Sequence, residues 1–150
     1  MRVTTWTEYS LIISLHLARR GSTAPVAARD ISEAERLPAD YVEQILLRLR
    51  RAGLVRSVRG ARGGYFLDRE PALISVHDVM AACDHQIFEV NCDAHPVDDA
   101  RCGPGSQCSI RPVWVALRNR VDELLKGVTL ADLLQDESQV QELVGIAADA

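Results

Sequence analysis

The chain has 150 residues, 47% of them hydrophobic and 25% charged, a globular composition long enough to bury a proper core as one domain or a compact domain with an appended helix. Its opening, M-R-V-T-T-W-T-E-Y-S, lacks an apolar signal core, and no run approaches a membrane span, which excludes a membrane-embedded reading. The net charge of −4 is unevenly spread: residues 1–70 carry 12 basic and 8 acidic side chains and residues 71–150 carry 5 and 13, so only the first half suits a polyanionic partner.

The first apolar-periodic stretch, about Thr7 to Arg20, puts Tyr9, Ile12, Ile13, His16 and Leu17 at helical spacing and is stopped by Gly21. His16 lies on or beside that face, where a satisfied structural histidine is the expected role. A second short helix follows Pro25, with Ala28, Ile31 and Ala34 inward, and Leu37-Pro38 breaks it. The third runs from about Pro38 through Ala52, carrying Tyr41, Ile45, Leu46 and Leu49 at intervals of three and four, and Gly53 ends it. The period then changes. Leu54 to Val58 and Tyr65 to Leu67 read as two short strands joined by a glycine-rich turn from Arg59 to Gly64. A helix pair followed by a small hairpin is the layout of a winged helix-turn-helix, with the third helix in the major groove and the hairpin as the wing.

Charge agrees with that layout. Six arginines, Arg48, Arg50, Arg51, Arg56, Arg59 and Arg62, stand between Gln44 and Leu67 without one acid, as a surface that displaces counterions from phosphates requires. The turn sequence G-A-R-G-G is neither G-x-G-x-x-G nor a P-loop and joins strand to strand, so a nucleotide-phosphate cradle is set aside.

A short helix from Ser75 to Ala82 starts with the capping-box pattern S-V-H-D, and Cys83 at its end reads as a buried or half-buried free thiol. The stretch from Asn91 to Arg111 then gathers Cys92, Cys102 and Cys108 at C-x9-C-x5-C in a polar segment rich in turn formers, Pro96, Gly103, Pro104 and Gly105. With four cysteines and no export signal the expected compartment is the reducing cytoplasm, where clustered cysteines hold metal more often than they form disulfides. The bland alternative is three unconnected thiols, or a disulfide and a spare. The spacing lacks the short knuckle of structural zinc sites, and soft thiolates spread along a flexible loop suit an iron–sulfur cluster better. Pro112 opens a long helix whose stripe of Val113, Trp114, Leu117, Val121, Leu124 and Leu125 needs a partner: the same helix of a second subunit, or else its own core. Thr129-Leu130-Ala131-Asp132 begins a last short helix, and the acidic tail from Gln135 is expected to be poorly ordered.

The fold expected is mainly α with a small β-hairpin: a winged helix-turn-helix over residues 1–82, a cysteine cluster-binding loop over 83–111, a dimerisation helix and short following helix over 112–134, and the tail over 135–150. The opening M-R-V-T-T-W-T-E-Y, the block from Asp30 to Tyr65, the later I-S-V-H-D-V-M, the three-cysteine loop and T-L-A-D-L-L resemble the IscR-, NsrR- and RirA-like iron–sulfur members of the Rrf2 family of bacterial winged-helix regulators. The resemblance covers roughly residues 1–135. It implies a homodimer, a 4Fe–4S or 2Fe–2S cluster on Cys92, Cys102 and Cys108, and operator binding that changes with cluster state. It also implies base or groove contacts from Ala39, Asp40, Tyr41, Glu43 and Gln44 and a minor-groove arginine at Arg59, beside Arg48, Arg50, Arg56 and Arg62 of the arginine run.

Two departures from the family pattern matter. Nine residues separate Cys92 from Cys102, more than is usual there, and Arg111 stands where IscR-like members carry a histidine ligand. Arginine stays protonated and offers no lone pair. The fourth ligand is then Glu8, His95, His85, Cys83 or a small molecule; Glu8 is expected, because NsrR-like members use an acid at the matching place. The function expected is a cytoplasmic, dimeric DNA-binding transcription regulator, a repressor, that senses iron–sulfur status, redox state or nitric oxide. The alternative is a zinc- or thiol-based redox regulator on the same DNA-binding module. No general base, nucleophile pair or cofactor motif accompanies the cysteines, so no catalytic residue is expected.

Overall fold

In the computed structural model, which describes residues 3–84, 87–88, 92 and 97–146, the chain opens with α1 (Thr5–Arg20). Thr4 caps this helix by accepting the Thr7 amide at 3.3 Å, and Gly21, at φ +64°, closes its last turn onto Leu17 and Ala18. α2 (Ala28–Glu35) and α3 (Ala39–Arg51) follow, joined by a turn in which Arg36 takes a left-handed backbone, φ +55°. Ser32 fixes that turn: its carbonyl accepts the Leu37 amide at 3.0 Å, and its hydroxyl donates to the Leu37 carbonyl at 2.7 Å. The left-handed step swings Leu37 into the core. Ala34, expected inward, is exposed, because Ile31 and Leu37 already supply the apolar contact of this segment.

α1, α3 and α4 (Val76–Cys83) pack on one another. Val42, Ile45, Leu46 and Leu49 of α3 are fully buried against Ile13 and Leu17 of α1 and Val79 of α4. Each such side chain contributes about 2 kcal/mol of burial, which fixes the face α3 turns inward and therefore the face it shows to solvent. His16 is buried, with Nδ1 2.6 Å from Glu35 Oε1, tying α1 to α2. The capping box read at Ser75 is present: its hydroxyl accepts the Asp78 amide, and the Asp78 carboxylate accepts the Ser75 amide.

The hairpin is β1 (Val55–Val58) and β2 (Gly64–Leu67), antiparallel, with Val55 opposite Leu67 and Val58 opposite Gly64. It is pinned to the helical body by reciprocal bonds between Val26 and Tyr65, at 3.0 and 2.8 Å. A Cβ at Gly64 would lie 2.5 Å from the Val26 carbonyl group, so this docking requires glycine.

Beyond the one-turn helix α5 (Asp99–Cys102) runs α6 (Arg111–Gly127), with a proline in its first turn. The chain rejoins the core immediately afterwards: Val128 accepts the Val76 amide at 2.8 Å, the Leu130 amide donates to Ile74 at 2.9 Å, and Leu130 is fully buried. The last short helix expected from Thr129 is a 3-10 turn at Asp132–Leu134, held by the Asp132 carboxylate, which accepts from the Thr129 amide and hydroxyl at 2.8 and 2.7 Å. The tail expected to be poorly ordered carries α7 (Glu137–Leu143). Counting charges missed its capping box, in which Asp136 accepts the Gln139 amide and Gln139 accepts the Asp136 amide. The architecture is thus mainly helical with one small hairpin, a winged helix-turn-helix. Among the described residues no helix is long and apolar enough to cross a membrane.

Candidate nucleic-acid interface and cysteine segment

Because α3 buries Val42, Ile45, Leu46 and Leu49, its opposite side presents Ala39, Asp40, Glu43 and Gln44, all exposed. These four belong to its first turns, the part of a reading helix that reaches base edges. Tyr41 is half-buried: its ring packs 4.9 Å from Trp6 and edge-on to Tyr9 at 5.4 Å. Arg48, expected among the DNA contacts, points into the fold. Its guanidinium lies 4.1 Å over the Trp6 ring, and Nη1 donates to the Cys83 carbonyl at 2.5 Å. The sequence pattern shows Arg48 as one charge in a basic run; only the meeting of α1, α3 and α4 reveals its partners.

The remaining arginines lie around the wing. Arg50 donates to the Ser57 hydroxyl at 3.2 Å, bracing β1 against the end of α3. Arg56 rests its guanidinium 4.8 Å over the Phe66 ring and 3.9 Å from Asp68, with its side chain about half exposed to solvent. Arg59 and Arg62 are exposed on the turn, which closes through the Gly63 amide donating to Gly60 at 2.9 Å. Gly60 sits at φ +116°, a conformation a side chain would strain, and a Cβ at Gly63 would collide with the Val58 carbonyl. The turn glycines therefore serve the hairpin's own closure and docking.

Cys83 is buried with the Ser10 hydroxyl beside it; burial pushes its thiol up to about 11, against the opposing effects of Ser10 and the Arg48 charge. It is a core thiol, as expected. Cys92 is exposed and Cys102 and Cys108 are half-exposed, and none of the four is in a disulfide. Among the described residues no group of three or more His, Cys, Asp or Glu side chains converges to hold a metal ion. His85 and His95 lie outside the described residues.

The donor chemistry nevertheless suits a thiolate site. Cys108 sits just before α6, where the Arg111 and Ile110 backbone amides, aided by the Arg111 and Arg101 charges, hold its thiol below the ordinary range. Arg111 Nη2 also donates to the Cys102 carbonyl and the Ser106 hydroxyl, both at 3.1 Å. The residue that cannot be a ligand thus ties the stretch between two that can. Glu8 is exposed in the first turn of α1. That turn adjoins the start of the cysteine segment, since the Thr4 hydroxyl donates to Asp84 Oδ2 at 3.1 Å.

Comparison with known proteins gives consistent results. A family model described as an iron-dependent transcriptional regulator, Rrf2, matches residues 3–136. The HTH-type transcriptional regulator IscR of Photobacterium profundum is 37% identical over 145 residues, covering 97% of this chain and 81% of the relative. Among solved structures, IscR of T. potens superposes with a TM-score of 0.71 at 31% identity, covering 100% of this chain and 94% of that one. CymR, the global cysteine regulator of B. subtilis, superposes at 0.74 and 31% identity, covering 91% of this chain and 99% of that one.

Proposed function

This chain belongs to the Rrf2 family of transcriptional regulators, and from that membership we propose that it is a homodimeric, cytoplasmic repressor whose operator affinity responds to an iron–sulfur cluster on Cys92, Cys102 and Cys108, with Glu8 as fourth ligand. The family is one of DNA-binding regulators, so the output is control of transcription and not catalysis. The observation that carries the finer reading is the stretch Cys102–Arg111: amides at the foot of α6 favour the Cys108 thiolate, and Arg111 clasps the chain between the two cysteines. A cluster held by these residues would supply an iron core open to nitric oxide or oxygen, and its loss would leave the thiolates unligated. The rest is done by the chain. Cys108 adjoins α6, so any rearrangement of its segment turns that helix; α6 pairs with its copy, and turning it changes the separation of the two reading helices, which must match half-sites about 34 Å apart.

In the DNA-bound state Ala39, Asp40, Glu43 and Gln44 face base edges, Arg59 enters the minor groove, and Arg56 and Arg62 hold phosphates. Arg62→Ala should lower the slope of log affinity against log salt by about 1 on operator and random duplex alike. Arg59→Ala should in addition flatten the preference for A·T-rich flanks. Equal losses on both duplexes for both variants would remove the minor-groove assignment.

A second reading, a thiol- or zinc-based regulator on the same module, is favoured by the likeness to CymR. Anaerobic purification decides between them. A coloured protein with stoichiometric iron and sulfide, bleached by Cys92→Ser, Cys102→Ser or Cys108→Ser and weakened by Glu8→Ala, supports the cluster; a colourless protein without iron or sulfide supports the second reading.

A further inference from the structure

Cys83 is the last residue of α4, and the cysteine-bearing segment follows it in the chain. A carbonyl in the last turn of a helix lacks an intrahelical donor and carries the negative end of the helix dipole, so it attracts a cation. The cation here is Arg48 of the reading helix, whose Nη1 donates to the Cys83 carbonyl at 2.5 Å. Its planar guanidinium is also stacked 4.1 Å over Trp6. Trp6 in turn lies 4.9 Å from Tyr41, two turns before Arg48 on the same side of α3. Thr4 ties the start of α1 to Asp84, the residue after Cys83. A continuous set of contacts thus runs from the root of the cysteine segment, through Arg48 and Trp6, to the turn of α3 that carries Asp40, Glu43 and Gln44.

We propose that Arg48 is a positioning residue that couples the state of the cysteine segment to the setting of the reading helix. The proposal rests on the cluster-responsive reading above. When the segment is drawn toward its ligands or released, the last turn of α4 carries the Cys83 carbonyl with it. A guanidinium held over an indole and bonded to the carbonyl at once follows less freely than an ammonium on a flexible stem; it slides over Trp6 or shifts α3. Since Trp6 and Tyr9 both press on Tyr41, the first turn of α3 moves with the stack. A basic side chain in the last turn of a reading helix is thereby used for transmission within the fold and not for phosphate.

The test compares operator affinity of cluster-loaded and cluster-free protein, anaerobically and at fixed salt, for wild type, Arg48→Gln and Trp6→Leu. Both variants should keep the visible spectrum of the loaded protein. The wild-type ratio of the two affinities, roughly 5- to 150-fold for coupled sites, should fall to within about twofold of one in each. Trp6→Leu removes the stack from the α1 side and leaves the charge, so it remains decisive if Arg48→Gln does not fold. A folded variant that keeps the wild-type ratio overturns the proposal, as does a uniform loss of affinity in both states, which would make Arg48 a simple phosphate contact. A wild-type protein whose affinity ignores the cluster overturns the regulatory reading as well, and shows this before any variant is made.

Discussion

Two of the four thiols, Cys83 and Cys108, meet opposite electrostatic surroundings, and their reactivity should separate accordingly. The Cys108 thiol is held low by the Arg111 and Ile110 amides, so alkylation there should reach half its maximal rate at a lower pH than for an ordinary thiol. Cys83, pushed up to about 11 by burial, should stay unlabelled until the chain is denatured. Peptide mapping after iodoacetamide treatment of cluster-free protein reads both, and rapid native labelling of Cys83 would contradict its placement in the core. The fold favours the neutral Cys83 thiol, so its contribution to stability is complete below the ordinary value of 9.0 and is lost as pH rises toward about 11. Urea unfolding on either side of that window should show wild type losing stability relative to Cys83→Ala.

At the scale of the element, the wing depends on backbone proximity more than on side-chain packing. Its two reciprocal bonds to Val26 need Gly64, whose replacement would set a Cβ 2.5 Å from the Val26 carbonyl group. Gly64→Ala should therefore undock the hairpin and cost about 2 kcal/mol, two hydrogen bonds at about 1 kcal/mol each. Gly60→Ala enters open space and meets only the penalty of its φ of +116°, about 1 kcal/mol. Chemical denaturation orders the two, and operator affinity should fall further for Gly64→Ala, since that change moves Arg59 and Arg62 together. The reverse order would mean that the wing is held by its own turn and not by Val26.

For the molecule as a whole, α6 is the unfinished part. Leu125 packs near Val128 on the α4 side, whereas Val113 is 58%, Leu117 40% and Leu124 51% exposed. An apolar stripe of that length left in water favours self-association, and a two-fold pairing of α6 would cover it on both copies. The combined change Leu117→Glu and Leu124→Glu should give a monomer by light scattering, with the core fold intact by circular dichroism and operator binding reduced to the level of one half-site. A variant that remains dimeric would place the interface elsewhere.

Much of this was legible in the residues alone, because helical period, caps and turn chemistry act over a few neighbours. Three apolar helices, the Ser75 capping box, the hairpin around Arg59 to Gly64 and the helix after Pro112 all follow from local rules, and the cysteine spacing suggested a ligand segment. Local rules failed where two distant segments had to meet. Arg48 looks like any other member of a basic run until α1 brings Trp6 beneath it and α4 ends with a carbonyl within its reach. The Gly64 requirement is invisible without Val26, and the helix Glu137–Leu143 depends on Asp136 and Gln139 capping each other while the surrounding charges suggest otherwise. Sequence thus determined the helices of the first 83 residues, the hairpin and the helix after Pro112, since those choices rest on interactions within a turn or a strand. Tertiary structure decided which of the basic residues face outward, since the orientation of a side chain on α3 is set by the four apolar residues it buries and by the neighbours they bring with them.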